Sequence, residues 1–169
     1  MQDLEEENIS EVDPIKQAEK LEFEGNINAA VNSLLAYLKN PEIDQDKFQI
    51  QRSNVQLSLG KLYFKMTQFK EALSYFQAAL QFNSNFFGEQ SIEAVLVKLN
   101  IIEIEIRFAK YDQNLKILKN LLSQFTGHSS QEKQLRSHAC RLIAQIYHSK
   151  GQLFKGIDYV NDAKIGRAH

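Results

Sequence analysis

The chain has 169 residues, of which 43% are hydrophobic and 24% are charged, and its formal net charge at pH 7 is −1. These values are typical of a soluble protein with a core rather than of a disordered chain, and the length fits one domain or one short repeat array. The single cysteine excludes an internal disulfide, and no apolar run reaches the roughly 18 residues of a membrane-spanning helix.

The N-terminal segment, residues 1–13, is predicted to be a disordered acidic tail. It contains six acidic residues and no basic one, which leaves a net charge of +5 on the rest of the chain. The tail either stays solvated or folds back onto a basic groove, where it would compete with ligands. It lacks the basic and apolar regions of a signal peptide, so we expect a cytoplasmic protein with no membrane insertion.

Amphipathic helices are predicted for the rest of the chain, because apolar residues recur at the i, i+3, i+4, i+7 spacing of one helix face. Asp13-Pro14 has the pattern of an N-cap followed by proline at the first helical position, and Asn40-Pro41 is predicted to end the second helix. The predicted helices span residues 14–24, 27–39, 47–66, 69–83, 89–108, 111–125, 131–150 and 153–164.

One sequence pattern recurs every 42 residues. Its best copy is "LGKLYFKMTQFKEALSYFQAAL", with small residues at Gly60 and Ala72 where two helices would cross closely. A turn position that favours a small residue or glycine lies between the two helices. The aligned positions are Ala18, Gly60, Ile102 and Ala144, then Gly25, Thr67, Ala109 and Gly151, then Ala30, Ala72, Asn114 and Gly156.

Four such helix pairs predict a solenoid, because stacking buries apolar faces that no single pair can bury alone. The predicted fold class is all-α, an α-solenoid of four antiparallel helix pairs in a right-handed superhelix. The first helix of each pair would line its concave face. The array is predicted to comprise residues 14–163, with repeats at about 14–40, 47–83, 89–125 and 131–163.

The last six residues, "KIGRAH", break this pattern, because Lys164 stands where Leu80 stands in the second copy. A widely used sequencing-adapter oligonucleotide encodes the same six residues in one reading frame. We therefore expect residues 164–169 to be a non-native tail, with the array truncated and the natural chain continuing differently. The alternative is a genuine polar tail.

The stretch from Leu59 to Leu80 resembles the tetratricopeptide repeat (TPR) family, and "LIAQIYHSKGQLFKGIDYVNDA" in the fourth copy resembles it less closely. The period of 42 residues is longer than the usual period of about 34. Together with "FFGEQSIEAVLVKLNIIEI", it resembles kinesin light chain repeats, although Ser91-Ile92 replace their histidine-proline. The packing residues that the resemblance implies are Gly60, Tyr63, Ala72, Phe76, Ala79, Ala144, Tyr147 and Ala163.

The resemblance also implies a concave groove that binds an extended peptide or a helix of a partner protein. Its cations Lys61, Lys65, Arg107 and Arg141 would favour an acidic segment. The carboxylate clamp of chaperone-binding TPR domains is not expected, because other residues occupy most of its positions. The implied groove residues are Asn54, Leu57, Lys61, Phe64, Lys65, Asn100, Glu103, Arg107, Arg141 and Gln145. Further inward-facing positions are Val12, Ile15, Glu19, Glu22, Phe23, Leu96, Leu99, Ile106, His138 and His148.

His138, Cys140 and His148 are the candidates for a metal site or a Cys–His nucleophile. Residues two apart on a helix point about 200° from each other, and residues ten apart lie roughly 15 Å apart along the axis. His138 therefore cannot share an ion with Cys140 or with His148. No catalytic or phosphate-binding motif is present, so we expect no enzyme activity, no cofactor and no metal.

The sequence therefore predicts an interaction scaffold or adaptor that binds another protein. Nucleic-acid binding is not expected, because no cluster of Lys and Arg with interleaved aromatic residues is present. One alternative is the N-terminal docking region of a larger enzyme or motor-associated protein whose active domain lies outside this chain. Another is a structural module that self-associates through an uncapped C-terminal face.

Overall fold

The computed structural model describes residues 13–40 and 48–165, with side chains described as far as Asn161. These residues form eight α-helices and no strand, which confirms the predicted all-α class. Residues 1–12 of the predicted acidic tail and residues 166–169 of the predicted non-native tail lie outside the described residues, as do the side chains of Ala163 and Lys164. The helices are α1 (Pro14–Phe23), α2 (Ile27–Leu38), α3 (Gln49–Lys65), α4 (Phe69–Phe87), α5 (Ile92–Arg107), α6 (Tyr111–Gln124), α7 (Ser130–Ser149) and α8 (Leu153–Ile165).

The helix ends lie within two residues of the predicted ones, except between α4 and α5. There α4 continues to Phe87 and α5 begins only at Ile92. Gly88 stops α4 with a φ of 100°, and the Ser91 hydroxyl accepts a hydrogen bond from Ala94 N–H at 3.2 Å to start α5. The prediction was wrong here because the stretch before Gly88 contains no helix-breaking residue.

Side-chain caps determine where the first and seventh helices begin. The Asp13 carboxylate caps α1, as the sequence predicts. The Ser129 hydroxyl accepts from Glu132 N–H at 3.1 Å, and the Glu132 carboxylate accepts from Gly127 N–H at 2.8 Å and from His128 N–H at 3.1 Å. These backbone donors lower the pKa of the Glu132 carboxyl. The Ser129 hydroxyl thus caps the helix start, and the Glu132 carboxylate fixes the backbone of the two residues that precede Ser129.

Each pair closes with the same tight turn between its two helices. In the second pair, Thr67 N–H donates to Phe64 O at 3.0 Å and Gln68 N–H donates to Tyr63 O at 2.9 Å. These are the two bonds of a Schellman motif, which requires a left-handed residue after the helix cap. The motif recurs in all four described pairs with the 42-residue spacing. The left-handed residues are Gly25 (φ 82°), Thr67 (φ 60°), Ala109 (φ 60°) and Gly151 (φ 70°).

The two helices of the second pair approach each other most closely at Gly60. A Cβ atom on Gly60 would lie 2.5 Å from both Cδ1 and Cε1 of Phe76, whose side chain is only 1% exposed. The aromatic ring therefore fills the space that a side chain at position 60 would need. Ala72 and Ala79, on the same face of α4, are fully buried.

Aromatic stacking joins the two helices within the second pair, and likewise the two helices within the fourth pair. Tyr63 stacks on Tyr75 with ring centroids 5.5 Å apart, and Tyr147 stacks on Tyr159 with centroids 6.0 Å apart. Ala144 lies next to the second helix of its pair, within van der Waals reach of a Cβ atom placed on that helix. These predicted packing residues therefore lie at the contact between the two helices of a pair.

Neighbouring pairs join through the second helix of one pair and the first helix of the next. α2 packs on α3, α4 on α5 and α6 on α7. In the joint between α4 and α5, buried Phe76 and Ala79 lie in one apolar cluster with Val97 and Ile104. The described part of the chain is thus an α-solenoid of four stacked helix pairs.

The third pair departs most from the common pattern. Asn114 lies where other pairs have Ala30 and Ala72, and its side chain is fully buried. Its Nδ2 donates to Lys110 O at 2.8 Å, but its Oδ1 has no hydrogen-bond partner among the described residues. A buried acceptor without a partner costs about 1–3 kcal/mol, so this pair retains a polar residue at the expense of stability.

Gly60→Ala is expected to lower the free energy of unfolding by about 1–3 kcal/mol, because the new methyl group overpacks the Phe76 ring. The loss exceeds the gain of about 1 kcal/mol that alanine brings to a helix interior. Urea unfolding followed by circular dichroism measures the change. Gly156→Ala is the matched control, because its Cβ would meet atoms only at 3.4 Å, and it should be neutral or stabilising. A Gly60→Ala protein as stable as the wild type would contradict this packing.

Thr67→Gly is expected to raise the free energy of unfolding by about 0.5–1 kcal/mol. A β-branched residue is strained in the left-handed backbone conformation of position 67, and glycine is not. The reciprocal change, Gly25→Ala, should destabilise by a similar amount. No heavy atom lies within 4 Å of a Cβ at Gly25, so only the backbone conformation contributes there. Thermal unfolding of both variants measures the effect, and a loss of stability in Thr67→Gly refutes the explanation.

Candidate functional site

The first helices of the four pairs form one continuous surface. α1 contacts α3, α3 contacts α5, and α5 contacts α7, whereas α2 and α4, and likewise α4 and α6, make no contact within the described residues. When the helix pairs of a stack contact one another on one side and are separated on the other, the stack curves so that the contacting side is concave. The first helices therefore line the concave face, and the second helices form the convex face.

A cavity of about 200 Å³ lies between α1 and α3 on the concave face. Glu19 and Glu22 from α1 and Lys61 and Lys65 from α3 line it, together with buried apolar residues such as Leu62. Lys65 Nζ and Glu22 Oε1 form an ion pair. The cavity thus contains two acidic and two basic side chains, whereas the sequence led us to expect a predominantly basic groove.

Among the described residues, no hydrogen bond or ion pair engages Lys61 Nζ, in contrast to Lys65 and Arg141, and Lys61 also lacks the aromatic contacts of Arg107. Its side chain reaches solvent at the mouth of the cavity. Burial against the cavity wall lowers the pKa of Lys61, Glu19 opposes this change, and Lys65 adds to it. A partly desolvated ammonium gains most from an incoming carboxylate, so Lys61 is the best candidate for contacting an anionic group.

An aromatic contact bridges α3 and α5. The Arg107 guanidinium lies 5.2 Å from the centroid of the Phe64 ring and 5.7 Å from that of Phe69. Phe69 also contacts Phe108 edge-to-face at 6.0 Å. Cation–π contacts of this kind stabilise by about 0.5–2 kcal/mol. Arg107 therefore helps to join two pairs, and its charge remains accessible beside an aromatic surface.

The Glu103 carboxylate, which contacts Arg141 and His138, bridges α5 and α7. Arg141 Nη1 and Nη2 each donate to one Glu103 oxygen at 3.0 Å, and His138 Nε2 lies 3.3 Å from Glu103 Oε2. Burial alone would raise the pKa of the Glu103 carboxyl. The hydrogen bonds and charges of His138 and Arg141 outweigh burial and lower this pKa to about 2. The Arg141 charge is therefore neutralised within the protein.

The remaining predicted groove residues differ in accessibility. Asn54 is exposed, whereas Leu57 and Gln145 are half-buried. Asn100 Nδ2 donates to Leu96 O in its own helix at 2.8 Å. This donor is therefore already engaged, and Asn54 is the better placed amide for contacting the backbone of a peptide.

The prediction that residues face the groove was wrong at two positions. Leu99 is 0% and Ile106 is 2% exposed, because both pack in the apolar cluster that α5 shares with α6 and α7. α5 contacts the second helices α4 and α6 as well as the first helices α3 and α7, so fewer of its residues are accessible than the repeat register suggests. Phe23 is 94% exposed at the end of α1, and Val12 lies outside the described residues.

A second cavity, of about 460 Å³, lies between the start of α3 and the end of α4. Arg52, Phe82 and Phe86 are among its lining residues, and the two phenylalanine rings stack 5.4 Å apart. The sequence reasoning missed it, because the cavity depends on α4 extending beyond its predicted end. The aromatic residues of "QFNSNFF" were the available signal.

The described residues contain no group of three or more metal-ligating side chains that could hold an ion. His138 contacts Glu103, and Cys140 is buried. None of the described helices is long and apolar enough to cross a bilayer.

These features define a class of protein, the α-solenoid built from stacked helix pairs. Among solved structures, the chain is similar to BtubC (BKLC) from P. vanneervenii, with a TM-score of 0.71 and 18% sequence identity. The similarity covers 92% of this chain and 62% of that one, so the chain spans less than two thirds of the length of BtubC. At this identity the similarity supports the fold alone.

No family model matches the chain, and no curated protein matches it. The resemblance to TPR and kinesin light chain repeats therefore stays a prediction that rests on the residues quoted above.

Glu103→Gln is expected to lower the free energy of unfolding at pH 7 by up to about 3 kcal/mol, the equivalent of a pKa depressed from 4.5 to about 2. Because the folded-state pKa is the lower one, this stability is fully present above about pH 4.5 and is lost as pH falls toward 2. Wild type and variant should therefore converge in acid, as urea unfolding at a series of pH values would show.

Glu105→Gln is the control for this variant. Glu105 pairs with Lys110 at 3.3 Å, but the Lys110 side chain is 58% exposed, so the pair should contribute less than about 1 kcal/mol. Equal losses in the two variants, or a loss for Glu103→Gln that does not change with pH, would show that the ion pair of Glu103 does not stabilise the joint between α5 and α7.

Proposed function

We propose that the protein is an interaction scaffold that binds an extended peptide or a helix of a partner protein along its concave face. The observation that carries this proposal is that each first helix contacts the first helix of the next pair, so that the four helices form one continuous, accessible surface. Such surfaces are the usual binding faces of solenoid proteins. The fold shared with BtubC agrees with a scaffold.

The second helix pair supplies the most complete set of contacts for a ligand. Leu57, Lys61 and Phe64 lie at i, i+4 and i+7 on α3, so they share one helix face. Asn54 extends the same face by one turn. This stripe combines an exposed amide, an apolar side chain, an unpaired ammonium and an aromatic ring.

The chemistry of this stripe suggests a ligand with one acidic side chain next to an apolar one. The acidic group would pair with Lys61, where burial already disfavours the isolated ammonium. The apolar group would contact Phe64 beside the Arg107 guanidinium. A strongly acidic ligand is less favoured than the sequence predicts, because Glu22 and Glu103 already neutralise Lys65 and Arg141.

Selection of peptides from a random display library against the immobilised chain tests this proposal. We expect the selected peptides to contain an acidic residue beside an apolar one. Lys61→Glu should weaken their binding by about tenfold or more, because a charge-assisted hydrogen bond contributes about 1.5–3 kcal/mol. Fluorescence anisotropy with labelled peptides measures the affinity.

Lys116→Glu is the matched control, because Lys116 is exposed on α6, on the convex face, and the substitution makes the same charge change. It should leave peptide affinity unchanged. If the library yields no binding peptide, or if Lys61→Glu and Lys116→Glu bind alike, the concave face is not the binding site. Circular dichroism of each variant verifies that the fold is retained.

A further inference from the structure

The cavity between α1 and α3 contains two acid–base pairs, of which one is already formed and the other is open. Lys65 Nζ pairs with Glu22 Oε1, which neutralises both groups within the protein. Glu19 and Lys61 line the same cavity, but no hydrogen bond or ion pair engages either side chain among the described residues. The cavity therefore offers a ligand one carboxylate and one ammonium, both of them exposed at its mouth.

The repeat register separates these two open groups by one helix spacing. Glu19 and Lys61 are 42 residues apart, so they occupy equivalent positions on α1 and α3. These two helices are in contact, and the axes of packed helices lie about 8–10 Å apart. In an extended segment with the polyproline II conformation, residues three apart share a face and lie about 9 Å from each other. An extended ligand can therefore reach both groups with side chains three residues apart.

The floor of the cavity is apolar beneath this charged mouth. Ala18, Leu34 and Leu62 line it, and all three are buried. A lysine or arginine side chain combines a methylene stem with a charged tip, so it can cover apolar surface while its charge stays near water. Such a side chain matches a site in which an apolar floor lies next to the Glu19 carboxylate.

We infer that Glu19 binds a basic side chain of the ligand and is thus a specificity-determining residue of the concave face. The inference rests on the proposed function and adds a second charge to the ligand. The basic group joins the acidic group at Lys61 and the apolar group at Phe64 in a defined order. That order is base, acid and apolar residue, placed opposite α1, opposite α3 and at the contact between α3 and α5.

The charges of this site also limit what can occupy it. Residues 1–12 contain no lysine or arginine, so this segment of the chain cannot supply the basic side chain. A uniformly acidic partner would place a negative charge opposite Glu19, and a uniformly basic partner would place a positive charge opposite Lys61. Both arrangements are unfavourable, so a segment that carries both charges is the occupant that satisfies both groups.

Peptide selection against two forms of the full chain tests the inference. The wild type should select peptides with a basic residue about three positions from the acidic one, on the side away from the apolar residue. The double variant Glu19→Lys/Lys61→Glu should select peptides in which the two charges are exchanged. Because the double variant has the same net charge as the wild type, a change in total charge cannot explain that exchange.

Affinity measurements give the effect of the single change. A labelled peptide selected by the wild type should bind Glu19→Lys about fivefold more weakly or worse, because an attraction becomes a repulsion. Replacing the basic residue of this peptide with glutamate should weaken its binding to the wild type and restore its binding to Glu19→Lys. Fluorescence anisotropy measures each affinity.

Glu71→Lys is the matched control, because Glu71 is exposed on α4, on the convex face, and the substitution makes the same charge change. It should bind the selected peptide like the wild type. Circular dichroism of every variant verifies that the fold is retained.

Two results would overturn the inference and leave the proposed function intact. The first is that peptides whose binding depends on Lys61 carry no basic residue within two to four positions of the acidic one. The second is that Glu19→Lys and Glu71→Lys bind the selected peptide alike, although Lys61→Glu weakens its binding. If the library yields no binding peptide at all, the proposed function fails and this inference fails with it.

Discussion

The close approach of the two helices within each pair is the contact on which the rest of the solenoid depends. In the second pair, Gly60 leaves room for the Phe76 ring, so a large side chain is fully buried at the point where the helices cross. The tight turn at Thr67 then holds the pair antiparallel. Pairs of the same shape stack through their second and first helices, and this stacking brings the first helices together on the concave face.

The side chains that join the first helices also determine the charge of the concave face. Lys65 pairs with Glu22, Arg141 pairs with Glu103, and Arg107 lies on the Phe64 ring. Three of the four cations that the register places in the groove are thus already in contact with neighbouring pairs. The groove therefore contains both acidic and basic side chains. Among the described residues, Lys61 is the cation of this set that makes no such contact.

The two ends of the described array differ in chemistry. α1 presents the exposed polar residues Asp13, Gln17 and Lys20 at the register positions where α3 has the buried apolar residues Val55, Leu59 and Leu62. α8 presents an apolar surface instead.

The sequence by itself determined the helix pairs, because the 42-residue register repeats local signals such as the left-handed turn at Thr67 and the N-cap at Asp13. It misplaced the end of α4, where no breaker precedes Gly88. It also could not reveal that Leu99 is buried or that the groove cations are paired. Arg141 and Glu103 are 38 residues apart in sequence, and Lys65 and Glu22 are 43 apart. Side chains so far apart in sequence come into contact only when one helix pair packs on the next, so the tertiary structure decides which of them meet.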